Sequence, residues 1–288
     1  MLGQLLFSGL ALGSIYGLVA LRFAVIFKAT DVFNFAQGMF VVCGAYLAVT
    51  GISLLDLPFP LAVLFILVVA AFMGAGIHAL LIRPLAGRPI LSVIMLTIAL
   101  SIVLRALIEI AYGPPGRTLV TPLPAGSFAL GTLRISQLHL TAAVVSWFCM
   151  IVFGLFFRYT SIGLLMRATA DNHEAAVISG VRVDRMNRLA WAIGFTLAAI
   201  GGVFLGQLQI VSVELESIGL LALPAVVIGG LQSIPGAIIG GLLVGIIEQL
   251  AAAYISPKAS DIVIYVLLLV ILLLRPWGLL GQREINRV

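Results

Sequence analysis

The segment Glu174-Ala-Ala-Val-Ile-Ser-Gly180 is short and polar and stands between long apolar runs. Its alanines favour a helix of about ten residues with a small-residue face, which Thr169 or Asp171 can cap and Gly180 can stop. At about 15 Å such a helix is too short to cross lipid. It can seat in a partner's groove or rest as an amphipathic helix on the membrane surface. A second set of candidates lies inside or beside the apolar runs: Asn34, Gln37, Thr97, Ser101, Gly229 and Gly230. Polar side chains and irregular backbone at membrane depth are tolerated where they line a cavity, which makes these residues candidates for a solute pathway. Helix–helix hydrogen bonding uses the same residue types.

Charges within apolar runs raise a functional question by default. Arg105 and Glu109 are four residues apart and can pair on one helix face, either structurally or in a functional role. Glu248, beside Gln249, can face a polar cavity and exchange a proton. Arg22 lies roughly 9 Å along a helix from Lys28, within snorkelling reach of the interface. None of this is an enzyme's constellation. No Gly-x-x-x-x-Gly-Lys-Ser/Thr phosphate loop exists, since Lys28 and Lys258, the only lysines, follow Phe27 and Pro257. His78, His139 and His173 lack metal-ligand spacing, and no serine sits in a Gly-x-Ser-x-Gly elbow. The expectation is a non-enzyme without cofactor or metal, so that any use of ATP is borrowed from a partner.

The elements that must position these residues are membrane spans. The chain has 288 residues, of which 62% are hydrophobic and 9% charged. A soluble domain carries about 25% charged residues. The apolar runs fall at about 2–27, 38–55, 59–82, 90–112, 138–157, 189–212, 218–253 and 261–274, with 218–253 broken at Gln232-Ser-Ile-Pro-Gly236. They predict an all-α polytopic helix bundle of roughly eight or nine spans, some broken or half-helices, in one membrane domain covering 1–288. Between them lie the Pro/Gly-rich stretch 113–137 and the polar stretch 158–188. The first basic residue is Arg22, so no charged n-region precedes the first run, which reads as a permanent span. Cys43 and Cys149 lie within apolar runs and read as buried structural thiols. Rows of glycine at four-residue spacing, Gly9/Gly13/Gly17, Gly202/Gly206 and Gly241/Gly245, read as close helix packing.

Charge placement orients the spans. With the N-terminus outside, the inner side collects Lys28, Arg83, Arg88, Arg158, Arg167, Arg182, Arg185, Arg188, Arg275, Arg283 and Arg287. The outer side receives Arg117, Arg134 and Lys258. By the positive-inside rule, 158–188 is cytoplasmic and 113–137 external. The net charge of +5 is accounted for in this way, without nucleic acid.

Four stretches then carry a resemblance. Glu174–Gly180 resembles the Glu-Ala-Ala-x-x-x-Gly coupling segment of bacterial ABC importer permeases. Three others resemble the branched-chain amino-acid permease family, in its H-type subunit. They are Gly13-Ser-Ile-Tyr-Gly-Leu-Val-Ala20 with Lys28-Ala-Thr-Asp-Val-Phe-Asn-Phe-Ala-Gln-Gly38; Arg83-Pro-Leu-Ala-Gly87 leading to Thr97; and Val227-Ile-Gly-Gly-Leu-Gln-Ser-Ile-Pro-Gly-Ala-Ile-Ile-Gly-Gly241 with Arg275-Pro-Trp-Gly-Leu-Leu-Gly281. The chain departs from the pattern at Met39, where many relatives have Glu, and at Arg22, where a small residue such as Gly is usual. The resemblance implies a permease of the inner membrane. It would be partnered by a sister permease subunit, two cytoplasmic ABC ATPases and an external substrate-binding protein. Glu174, Ala175, Ala176 and Gly180 would do the coupling. The implied solute is a branched-chain or other small amino acid; urea and short amides are the alternative within the family. An ion-coupled carrier or channel, dependent on Glu248 or Glu109, is the rival class.

Overall fold

The computed structural model describes residues 2–30, 33–123, 126–130 and 133–281. Asp31, which closes the first predicted run, and Arg283 and Arg287 of the inner-side set lie outside the described residues. Among the described residues, twelve α-helices run in chain order: α1 (Leu2–Thr30), α2 (Gln37–Ala48), α3 (Phe59–Ile77), α4 (Ile90–Tyr112), α5 (Gln137–Tyr159), α6 (Ser161–Asp171), α7 (His173–Ile178), α8 (Val183–Leu208), α9 (Leu215–Leu220), α10 (Ala222–Gly229), α11 (Ile234–Tyr254) and α12 (Ser260–Leu274). Wider π-type turns extend α2 over Val49–Leu54 and α3 over His78–Ile82. Among the described residues, 7 helices are long and apolar enough to cross a membrane, and Leu215–Gly229 and Ser260–Leu274 are shorter apolar helices. The protein is therefore a multi-pass helical membrane protein, with the expected broken spans in its C-terminal third.

Prolines and small polar caps set the boundaries. Pro58 and Pro89 occupy the N-cap positions of α3 and α4. Ser233 Oγ accepts from Gly236 N at 3.1 Å and starts α11 directly before Pro235. This is the break expected from Gln232–Gly236. The Pro/Gly-rich stretch holds a short antiparallel hairpin, β1 (Ser127–Leu130) with β2 (Leu133–Ser136), paired Ser127 to Ser136.

Backbone contacts group the chain into two compact units. The first comprises Met1–Ala24, Leu123–Trp147 and Leu220–Val288; the second comprises Val25–Pro122 and Phe148–Gly219. In the first, the glycine rows of α1 and α11 meet backbone to backbone. A Cβ at Gly13 would stand 2.8 Å from Leu242 Cα, and one at Gly9 2.8 Å from Ile246 Cα. In the second, α8 packs against α2 and α3. A Cβ at Gly202 would stand 2.9 Å from Ala45 N, and one at Gly206 2.8 Å from Val211 Cγ2. With little hydrophobic drive between helices in lipid, this close approach is what lets dispersion hold them together.

Arg22 corrects one expectation. It is 0% exposed, as are its neighbours Ala20 and Leu21. The most apolar stretch of α1 is 89% buried, so protein rather than the lipid interface surrounds the guanidinium. Met39, the other departure, is also fully buried. Cys43 is buried and Cys149 half-buried, both free thiols.

Candidate functional site

The polar stretch 158–188 is helical almost throughout, which revises the expected loop. Thr160 Oγ1 accepts from Gly163 N at 3.0 Å and starts α6. Gly163, Met166 and Thr169 form the buried face of α6. Thr169 therefore sits in the last turn of α6 and donates to Leu165 O at 2.9 Å, so it does not cap the helix that follows. That cap is Asn172. Its extended backbone, φ −156, separates α6 from α7, and its Oδ1 accepts from Ala175 N at 2.9 Å. Asx side chains compete with the backbone for hydrogen bonds and so favour such breaks. The resulting helix has 6 residues, shorter than expected. The sixth apolar span begins at Val183, earlier than 189, because Asp184 and Arg188 form an ion pair at 3.0 Å on its first turns.

Gly180 stops α7 as the sequence indicates. Its φ is +80, and Gly180 N donates to Val177 O while Val181 N donates to Ala176 O, both at 3.0 Å. This pair of bonds is the Schellman closure. Ala176 is 4% exposed and seats the helix on its own chain, beside α6 and α8. Glu174 and Ala175 are exposed, and Val177 and Ile178 are 54% and 87% exposed. The uncovered apolar surface of α7 is thus Val177 and Ile178, which the alanine-based reading did not single out. Lys28 and Asp171 approach at 3.8 Å, and Arg83 and Asp184 at 3.3 Å. These four side chains, with Arg88 and His173, line a cavity of about 640 Å³ at the start of α7.

Four of the six pathway candidates share the second unit. Asn34 is 2% exposed, and its Oδ1 accepts from Ala36 N at 2.9 Å, turning the chain into α2. Gln37, 1% exposed, is the first residue of α2. Thr97 is 0% exposed; its Oγ1 accepts from Phe35 N at 3.1 Å and donates to Ile94 O at 2.9 Å. Thr97 thereby ties α4 to the break before α2. One turn on, Ser101 Oγ donates to Glu216 Oε1. Glu216 also approaches Arg105 Nη1 at 3.8 Å, and Arg105 Nε donates to Glu109 Oε1 at 3.1 Å. The Arg105–Glu109 pair is present as the spacing requires. Glu216 escaped notice because it lies in a short polar link with no periodic signal.

Gly229 and Gly230 belong to the first unit. There α10 ends at Gly230, φ +111, and the C-terminal segment closes its free carbonyls: Leu279 N donates to Ile228 O at 2.8 Å and Leu280 N to Gly229 O at 3.0 Å. A Cβ at Gly230 would stand 2.6 Å from Gly281 N. The motif around Gly229-Gly230 and the motif ending at Gly281 are therefore one packed structure, in which a broken helix end is satisfied by protein. Also in this unit, Glu248 lies near the Tyr16 hydroxyl.

A family model described as "Branched-chain amino acid transport system / permease component" matches residues 5–272. High-affinity branched-chain amino acid transport system permease protein LivH of Escherichia coli (strain K12) is 32% identical over 302 residues, 99% of this chain and 97% of that protein. LivH of Salmonella typhimurium is 31% identical with the same coverage. High-affinity branched-chain amino acid transport system permease protein BraD of Pseudomonas aeruginosa is 32% identical over 301 residues, again 99% and 97%. With the apolar helices, the Gly180-closed segment and the C-terminal glycine motif all inside one nearly full-length match, the chain belongs to the permease-component family of branched-chain amino acid transport systems.

Proposed function

We propose that this chain, acting over 1–288 as one permease domain, forms half of the translocation pathway of an ATP-driven importer for branched-chain or other small amino acids. A sister permease supplies the other half. Two cytoplasmic ABC ATPases supply the energy, and an external binding protein delivers the solute. The protein sits in the inner membrane with its N-terminus outside and its C-terminus in the cytoplasm. Charge placement supports that orientation, and contacts keep the residues assigned to one side together: Lys28 with Asp171 and Arg83 with Asp184, and separately Arg117 with Val211.

The observation that carries the coupling role is α7. A six-residue helix closed at both ends presents bare Val177 and Ile178 on a segment expected to be cytoplasmic. Isolated helices this short are unstable in water, so one held by caps at both ends is preformed for a partner. Glu174 and Ala175 lie on its exposed side, Ala176 anchors it, and Gly180 fixes where it stops. Motion of the ATPases, transmitted through α7, rocks the packed spans and alternates access. Within the second unit, Ser101 lies on the solute path with the buried Asn34, Gln37 and Thr97 packed behind it; within the first, Gly229 and Gly230 shape a broken helix. The names of the relatives support the amino-acid class of solute. The test is uptake of labelled leucine, urea and a short amide into proteoliposomes carrying the full complex. ATP-dependent leucine accumulation is expected. Uptake driven by an ion gradient without ATP, or transport of urea alone, refutes the reading.

A further inference from the structure

α4 carries Thr97, Ser101, Arg105 and Glu109 at four-residue intervals, which places them in one stripe along its axis. The stripe starts at the buried Thr97 and ends half-exposed, with the Arg105 and Glu109 side chains 49% and 42% exposed and Glu216 19% exposed. Arg105 lies about 10 Å from the end of α4 at Tyr112, inside the apolar span. Around it Ile102, Val103, Leu107 and Ile110 are exposed, as on any span. Arg105 is within snorkelling reach of the end of α4 and turns that way onto Glu109, but a half-exposed cluster of one cation and two carboxylates on an apolar span is held more favourably against protein or a water-filled path than against lipid.

The pairing inside the cluster is incomplete. Arg105 uses Nε on Glu109 and Nη1, at long range, on Glu216, and among the described residues its Nη2 donors have no partner. Glu216 is held in place by the Ser101 hydroxyl, and Glu109 uses one of its two oxygens. A guanidinium edge and a spare carboxylate oxygen therefore stand side by side, one a donor for an anion and the other an acceptor for an ammonium group.

We infer that Ser101, Arg105, Glu109 and Glu216 form a station in the pathway for the charged ends of a zwitterionic α-amino acid, with its carboxylate on Arg105 and its ammonium on Glu109 and Glu216. The inference rests on the importer reading above and names what the path recognises. A neutral amide or urea can hydrogen-bond to both groups but brings no charge to either, so it gains less than a zwitterion, and the cluster favours amino acids among the solute classes open to this family.

The experiment measures leucine delivered per ATP hydrolysed by the full complex in proteoliposomes, with the binding protein preloaded with labelled leucine. In R105Q and in E216Q the ratio falls about tenfold, while R105K keeps at least about half of it, because one charge-assisted bond is worth about that factor. A purely structural joint would lower delivery and hydrolysis together and leave the ratio where it was. A ratio within about twofold of wild type in both glutamine variants overturns the station. A wild-type complex that moves urea or a short amide and no amino acid removes the importer reading and this inference with it. Wild-type leucine delivery with unchanged variant ratios removes this inference alone.

Discussion

Gly180 offers the sharpest test of the coupling segment, because there conformation can be separated from sterics. Its φ is +80, and a Cβ added there meets nothing within 4 Å. Any effect of substitution must therefore come from the left-handed backbone, which costs an L residue roughly 1–2 kcal/mol. Alanine also restricts the opened chain, which returns about half a kcal/mol. The net loss for Gly180→Ala is about 1 kcal/mol, or roughly fivefold in the ratio of closed to open caps. Gly180→Val loses more, since a β-branched residue fits this region worst, and Gly180→Asn loses least, since asparagine visits it most readily. The two closing bonds, Gly180 N to Val177 O and Val181 N to Ala176 O, are the reporters. Hydrogen exchange followed by mass spectrometry over 173–183 should speed up in the order Asn, Ala, Val, and ATP-driven uptake should fall in the same order. Identical exchange in all three variants, or a valine variant that exchanges and transports like wild type, would refute the argument that a left-handed Schellman closure holds α7.

Two further outcomes follow from exposure and hydrogen bonding. Ile178→Asp lies on a side chain 87% exposed, so the thermal midpoint of the purified permease should move by no more than a surface change does, about 0.5 kcal/mol. ATPase subunits should nevertheless co-purify poorly with it, and unchanged co-purification would argue against docking through this face. Thr97→Val removes the acceptor for Phe35 N and should destabilise by about 1–2 kcal/mol, read as a lower thermal midpoint, while Thr97→Ser stays near wild type.

The positions of the apolar helices, the break at Gln232–Gly236 and the stop at Gly180 were all legible in the chain, because apolar length, proline and glycine act locally. The Arg105–Glu109 pair was legible too, since four-residue spacing alone places those side chains together. The cap of α7 was read three positions early at Thr169, or one at Asp171. Thr169, Asp171 and Asn172 are all competent caps, and the buried face of α6 decided among them by claiming Thr169. Arg22 was placed at the interface from its distance to Lys28, a measure along one helix that is blind to what packs around that helix. Ala176 and Val177 are neighbours of similar character in sequence; packing buried one and left the other bare.

By itself the sequence determined that this is a helical membrane protein of the permease family with a short polar helical segment between two apolar runs. Those properties follow from transfer energies and backbone preferences summed over neighbouring residues. The tertiary structure alone decided that Glu216 joins Ser101 across 115 residues of chain, and Arg105 beside it. It alone decided that the C-terminal Leu279 and Leu280 close the carbonyls of Ile228 and Gly229. Such contacts depend on which helix faces come together, and no local pattern of residues encodes that.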